Sequence, residues 1–167
     1  KVIKGYETIL FWSINIKMRI LLITQVFFPD TVSVSQHLTD LANKLVEDGH
    51  EVTVFTSSYP YEEKTHRYEP FENYQGIKIN RLRQSSFGKG STLARLFDFF
   101  TFYFFISIKL FSLKKSEYDL MVGTTVPPLL SFIGVLVSKI KGIKYIATCN
   151  LMWIINFCTY KLPSIVA

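Results

Sequence analysis

The chain has 167 residues, enough for one domain with a sizeable core. Hydrophobic residues make up 49% and aromatic residues 16%, with 15 Phe, which excludes an intrinsically disordered chain. The formal charge is +6, but residues 1–17 hold Lys1, Lys4 and Lys17 against Glu7, and Lys161 follows later, leaving +3 for residues 18–148, too little to argue for nucleic acid.

Val2–Lys17 has neither a long apolar core nor a small-residue cleavage site, so it does not read as a signal peptide. Residues 1–17 are expected to be an extension outside the domain, with an amphipathic membrane anchor as the alternative reading. Arg19–Thr24 is a continuous apolar strand, as in a parallel sheet covered on both faces. The spacing of Val34, Leu38, Leu41, Ala42, Leu45 and Val46 predicts an amphipathic helix over Ser33–Asp48, capped by Ser33 or Thr31 and stopped by Gly49. Glu51–Thr56 is the second strand, so the opening is a β-α-β unit. Ser57–Gly76 has no apolar period and reads as a long loop.

Ile77–Leu82 is the third strand, and Gln84–Ser91 a flexible connection. Leu93–Leu113 is the most apolar helix, with Asp98, Thr101, Lys109 and Ser112 on a narrow polar stripe. Asp98 and Lys109 interrupt it as a membrane span. Burial in the domain, partial exposure to a membrane surface and, last, a true span are the readings of the helix. Tyr118–Gly123 is a fourth strand. Pro127 or Pro128 suits the first turn of a helix over Leu129–Ile140, ended by Gly142, and Ile143–Ala147 is a fifth strand. The expected fold class is α/β: a Rossmann-like parallel sheet of about five strands with helices on both faces.

In such a sheet, ligands sit outside the carboxyl ends of the strands. The candidate segments are Gln25–Ser33, Thr56–Tyr59 and Gly123–Pro128. Thr124 and Thr125 offer hydroxyls for a phosphate or a sugar, or cap the next helix. Asp30 either bonds a hydroxyl-rich ligand or shapes the Pro29-Asp30 turn, and the backbone amides from Thr31 to Ser33 are better anion ligands than any side chain. Gln25–Ser33 contains no glycine, which argues against a dinucleotide fingerprint, and there is no phosphate-loop lysine motif. His50 and His37 read as structural, and His66 as solvent-exposed. Cys149 and Cys158 read as reduced thiols of a cytoplasmic protein, with a structural disulfide as the alternative, and no metal site is expected.

Four segments in order carry a resemblance: M-R-I-L-L-I-T-Q-V-F-F-P-D-T, L-V-E-D-G-H-E-V-T-V-F-T, G-I-K-I-N-R-L and Y-D-L-M-V-G-T-T-V-P-P-L-L. Over about residues 18–147 the chain resembles the N-terminal domain of family 4 glycosyltransferases, of the bacterial type that builds surface polysaccharides. The resemblance implies one half of a GT-B fold, the half that binds a glycan or lipid-linked acceptor at the inner face of the plasma membrane. The other half, a C-terminal Rossmann domain with a spaced glutamate pair, binds the nucleotide-sugar. It implies retaining transfer with no cofactor and no catalytic metal. Pro29, Asp30, Thr31 and Ser33 would face the donor phosphates across the cleft, and Thr124, Thr125 and Pro127 would line the acceptor side.

The pattern departs after residue 148. Look-alikes continue with an aspartate-containing segment, whereas residues 149–167 carry no carboxylate. The expected organisation is therefore a domain over 18–148 and an atypical tail over 149–167, truncated or frameshifted. No catalytic residue is assigned, and the polypeptide alone is expected to be inactive. The alternative is a non-catalytic, membrane-associated binding module working with a separate donor domain.

Overall fold

The computed structural model describes residues 17–61, 66–86, 92–125 and 129–148. The elements run β1 (Arg19–Ile23), α1 (Ser33–Glu47), β2 (Glu51–Ser57), β3 (Phe71–Tyr74), β4 (Ile77–Leu82), α2 (Thr92–Phe111), β5 (Leu120–Thr124), α3 (Leu130–Lys141) and β6 (Lys144–Thr148). They build one sheet in the order β3-β4-β2-β1-β5-β6. All pairings are parallel except β3 with β4. This is the Rossmann-like α/β architecture expected of the sequence, with one strand more.

The continuous apolar run of β1 is explained by its position. Leu21 and Ile23 pack on one face against Phe102, Ile106 and Leu110 of α2 and Val137 of α3. Ile20 and Leu22 pack on the other against Leu38 and Ala42 of α1. With both faces dry, alternation with polar residues is impossible. The helical face expected of α1 is the one buried, and Val34, Leu41, Leu45 and Val46 complete it. Its end is a Schellman motif. Gly49 at φ 88° lets its N–H reach the Val46 carbonyl at 2.9 Å and the His50 N–H reach Leu45 at 3.0 Å.

Three expectations are corrected. The segment read as a loop contains β3, because Gln75 and Gly76 both adopt positive φ, 50° and 86°, and close a two-residue hairpin. As an edge strand β3 alternates exposed and half-buried residues, so it lacks an apolar signature. The start of α1 is not capped by Ser33 or Thr31. Val32 is the N-cap, and no side chain caps the turn. Leu129, in the left-handed region at φ 72°, precedes α3. Pro127, Pro128 and the two cysteines lie outside the described residues.

The polar stripe of α2 divides: Lys109 and Ser112 are exposed, whereas its first half turns inward. Asp98 is buried and accepts the Ser85 hydroxyl at 2.6 Å, and Thr101 Oγ1 accepts the Ser85 N–H at 3.1 Å. Polar groups thus fasten the connection after β4. The outward face instead shows Leu93, Phe97, Phe100, Phe104, Ile108 and Phe111. Among the described residues no helix is long and apolar enough to cross a membrane.

Behind β5, the Tyr145 ring fills a slot between Gly123 and Gly134. A Cβ on Gly123 would collide with Tyr145 Oη, and one on Gly134 with Cε2. Gly134→Ala would gain at most about 1 kcal/mol of helix propensity, while overpacking costs roughly 1–3 kcal/mol. The space, not the propensity, decides. Gly134→Ala is therefore expected to lower the urea midpoint, and Tyr145→Leu in the same chain to restore part of the loss.

At the opposite edge, Asp119 accepts the Arg19 backbone N–H at 2.8 Å and its guanidinium at 2.9 and 3.2 Å. The hydrogen bonds from Arg19 hold the Asp119 carboxyl below its ordinary value. A depressed carboxylate contributes stability that is present above the unfolded value, about pH 4, and lost as pH falls through the folded one. Asp119→Asn should flatten this part of the acid limb of a stability–pH curve; an unchanged limb would show that Asp119 contributes nothing to it.

Candidate functional site

The strand order reverses at β1. β2 and β4 lie on one side of it and β5 and β6 on the other. The chain leaving β1 turns into α1 on one face of the sheet, and the chain leaving β5 leads to α3 on the other. Between the diverging connections a crevice opens outside the carboxyl ends of β1 and β5, the place where sheets of this topology take ligands.

The carboxyl edge concentrates buried polar groups. Thr24, Gln25, Thr56, Ser57, Ser58, Gln84 and Thr124 are all buried there. Most of the hydroxyls satisfy backbone. Thr24 Oγ1 donates to the Val26 carbonyl at 2.9 Å and Thr56 Oγ1 to the Gln25 carbonyl at 3.1 Å. Three side-chain oxygens have no hydrogen-bond partner among the described residues: Gln25 Oε1 after β1, Ser58 Oγ at the end of β2 and Gln84 Oε1 after β4. These strands are neighbours, and their ends are stitched together by Ser57 N–H to Gln25 O at 3.2 Å and Ser58 N–H to Leu82 O at 3.0 Å. Leaving a buried polar atom unpaired costs about 1–3 kcal/mol, so these three oxygens call for donors beyond the described residues, whether water or a ligand. Ser35 Oγ, in the uncapped first turn of α1, is likewise buried and unpaired among the described residues.

A buried cation braces this edge. Arg81 of β4 donates to Glu72 of β3 and to the Phe28 carbonyl after β1, both at 2.8 Å, and lies 4.4 Å above the Tyr68 ring. Its side chain is only 1% exposed. It therefore positions the turn at Pro29, which follows a cis peptide. Asp30 belongs to the same brace. Its Oδ1 accepts the Tyr61 N–H at 3.2 Å, and burial, followed by the Asp30 charge, pushes the Tyr68 hydroxyl up from its ordinary value.

The predicted residues divide accordingly. Asp30 joins two loops, the shaping role weighed against ligand binding. Pro29, Thr31 and Ser33 are exposed beside the start of α1, where the Thr31 carbonyl accepts Gln36 Nε2 at 2.8 Å. Thr124 is buried inside β5 and its carbonyl accepts the Ser131 hydroxyl at 3.1 Å. Thr125 follows, its N–H bonded to the Thr148 carbonyl at 3.1 Å. Pro127 lies outside the described residues. Gln25 and Ser58 fall within the segments named from sequence, whereas Gln84 and Arg81 do not. Their signal was faint: polar residues at the end of a strand that otherwise alternates apolar and polar. His50 Nδ1 accepts the Met18 N–H at 3.4 Å, and His66 is exposed, edge-on to Tyr68.

A second concavity, an open groove of ≈ 350 Å³, lies where Arg19, Thr53, Lys78, Lys109, Glu117 and Tyr118 meet. Much of its charge is already paired: Arg19 with Asp119, and Glu51 with Lys17 at 2.8 Å and Lys78 at 4.0 Å. It sits toward the amino ends of the strands and has no buried orphan atom, so the carboxyl edge is the better site.

Removing one partner of a buried pair costs roughly 3–5 kcal/mol, because the other charge stays buried. Here the cation is the buried member and Glu72 is partly exposed. Glu72→Ala, which leaves the buried guanidinium without its carboxylate, is therefore expected to lower the urea midpoint more than Arg81→Ala, which leaves only a partly exposed carboxylate. A larger loss for Arg81→Ala would mean that its contacts to Phe28 and Tyr68 outweigh the stranded charge.

No protein-family model matches the chain, and no curated protein sequence matches it significantly. Among solved structures, the sucrose-phosphate synthase of Thermosynechococcus elongatus matches with a TM-score of 0.55 at 14% identity. The match covers 80% of this chain and 33% of the synthase. At that identity the likeness is one of fold alone: the chain shares an α/β architecture found within the synthase and spans about a third of its length.

Proposed function

We propose that this chain is the acceptor-binding half of a glycosyltransferase that moves a sugar from a nucleotide-sugar donor to a saccharide or lipid-linked acceptor. The four resembling segments point to the bacterial surface-polysaccharide type. The observation that carries the reading is the row of unpaired buried oxygens of Gln25, Ser58 and Gln84 along the carboxyl edge. Sugar hydroxyls are donors, and such oxygens match them while excluding a purely apolar ligand. The uncapped start of α1 would supply backbone N–H groups to the donor's phosphates from Thr31 to Ser33. Thr125 and Pro127 would flank the acceptor from the β5 side. No general acid or base is assigned to this chain, and transfer itself is attributed to its union with a donor-binding Rossmann domain.

The test compares binding with stability. Isothermal titration of the chain with UDP-glucose, GDP-mannose and short oligosaccharides is expected to give weak but measurable binding. Gln25→Leu and Gln84→Leu should each weaken it roughly tenfold, the worth of one hydrogen bond, while leaving the melting temperature unchanged or higher. A variant that binds as before, or one that is destabilised by the loss of a structural bond, would contradict the assignment. Transfer appearing only on addition of a separately encoded donor domain would select the non-catalytic module reading.

A further inference from the structure

The outer face of the α2–α3 layer is apolar. Along α2 it shows Leu93, Phe97, Phe100, Phe104, Ile108 and Phe111, spaced by three or four residues, with Phe100 67% exposed. Along α3 it shows Leu129, Phe132, Leu136 and Ile140, with Phe132 69% exposed. The two helices lie on the same face of the sheet and touch each other. Their stripes thus form one apolar surface, although each helix already buries its opposite side in the core. Large contiguous apolar surfaces on soluble domains mark an interaction site.

Charge identifies the occupant. Both helices follow a parallel strand and lead to the next one, so both run back toward the amino edge of the sheet. There the chain places Lys114, Lys115 and Lys139, all exposed, and the half-buried Lys141. In residues 92–148 the acids are Asp98, Glu117 and Asp119. Asp98 is buried against Ser85, Glu117 accepts the Lys114 N–H at 3.1 Å, and Asp119 is held by Arg19. A second copy docked face to face would find no exposed acid along the two apolar stripes to pair with these lysines, since the exposed Glu117 and Asp119 lie in the connection after α2, beside the lysines themselves. Anionic headgroups above an acyl layer complement both the apolar stripe and its basic end. Because no described helix is long and apolar enough to span, the contact is interfacial.

We infer that the α2–α3 face docks flat on a bilayer containing anionic lipid, the phenyl and isobutyl groups entering the acyl boundary and the lysines meeting phosphates. This orientation does not depend on the sugar-transfer reading. If nucleotide-sugar titrations fail, the docking face stands, and its own test involves no sugar.

The test is flotation of the full chain with vesicles of phosphatidylcholine alone or mixed with phosphatidylglycerol. Binding is expected to the mixed vesicles and to weaken with salt. The triple variant Phe100→Ser, Phe104→Ser, Phe132→Ser should bind at least about tenfold more weakly with an undiminished melting temperature, because these side chains are outside the core. Lys114→Gln, Lys115→Gln, Lys139→Gln, Lys141→Gln should lose the preference for phosphatidylglycerol, a change of roughly tenfold or more. Absence of vesicle binding, binding indifferent to the serine variant, or equal binding to both vesicle types would overturn the proposal. Self-association abolished by the serine variant, without vesicle binding, would assign the face to a second copy.

Discussion

Burial of β1 on both faces is the constraint from which the rest of the architecture follows. Ile20, Leu21, Leu22 and Ile23 are each at most 1% exposed, so the strand has no face left for a ligand. Helices must cover it on both sides, which sends the connections after β1 and β5 to opposite faces and opens the crevice at their carboxyl ends. Chemistry is thereby displaced from the sheet to its edge, where backbone and side-chain polar groups are held in fixed places by the strand ladder. The Arg81 brace belongs to the same logic. A cation that would be costly in an apolar interior is tolerated because Glu72, the Phe28 carbonyl and the Tyr68 ring surround it, and it holds the turn at Pro29 beside the crevice.

The molecule places its unusual surfaces in two separate regions. Among the described residues the unpaired oxygens of Gln25, Ser58 and Gln84 lie at the carboxyl edge, while the outer faces of α2 and α3 are apolar where an ordinary surface helix is polar. These regions share the two helices that run between them, since α2 and α3 begin at the carboxyl edge and end at the lysine-rich one. A protein lying on its α2–α3 face would hold its sheet parallel to a bilayer and its crevice near the headgroups, a position from which an acceptor carried by a lipid is within reach. The sugar reading and the lipid reading thus support each other without either requiring the other.

Much of the fold was legible because it rests on local chemistry. The helical period of α1, the glycine after it, the apolar runs of β1 and β2 and the order of strand and helix all follow from short-range patterns. β3 was not legible, since an edge strand that buries little has no apolar period and its hairpin turns on backbone angles of Gln75 and Gly76. The cap of α1 was misplaced because Ser33 and Thr31 have the right chemistry, whereas the chain places Val32 at the cap position. The polar stripe of α2 was visible but not its direction. Asp98 points inward because Ser85, far from it in sequence, supplies its partner.

The site was legible as loops and only partly as atoms. The rule that ligands gather at the carboxyl ends of strands selected the segments holding Gln25 and Ser58, but it gave no reason to prefer them over Asp30 or Thr124. That preference comes from counting hydrogen bonds: Asp30 is engaged in loop-to-loop contacts and Thr124 is packed into β5, whereas the oxygens of Gln25, Ser58 and Gln84 remain unpaired among the described residues. The central claim is that this edge receives a sugar-bearing ligand. It is tested most directly by amide chemical-shift mapping of the isotopically labelled chain during titration with nucleotide-sugars and oligosaccharides. The account predicts perturbations confined to the carboxyl edge: Gln25, Ser58, Gln84, Thr125 and the start of α1 from Thr31 onward. Perturbations centred instead on the groove at Lys78 and Lys109, or none at saturating ligand, would contradict it.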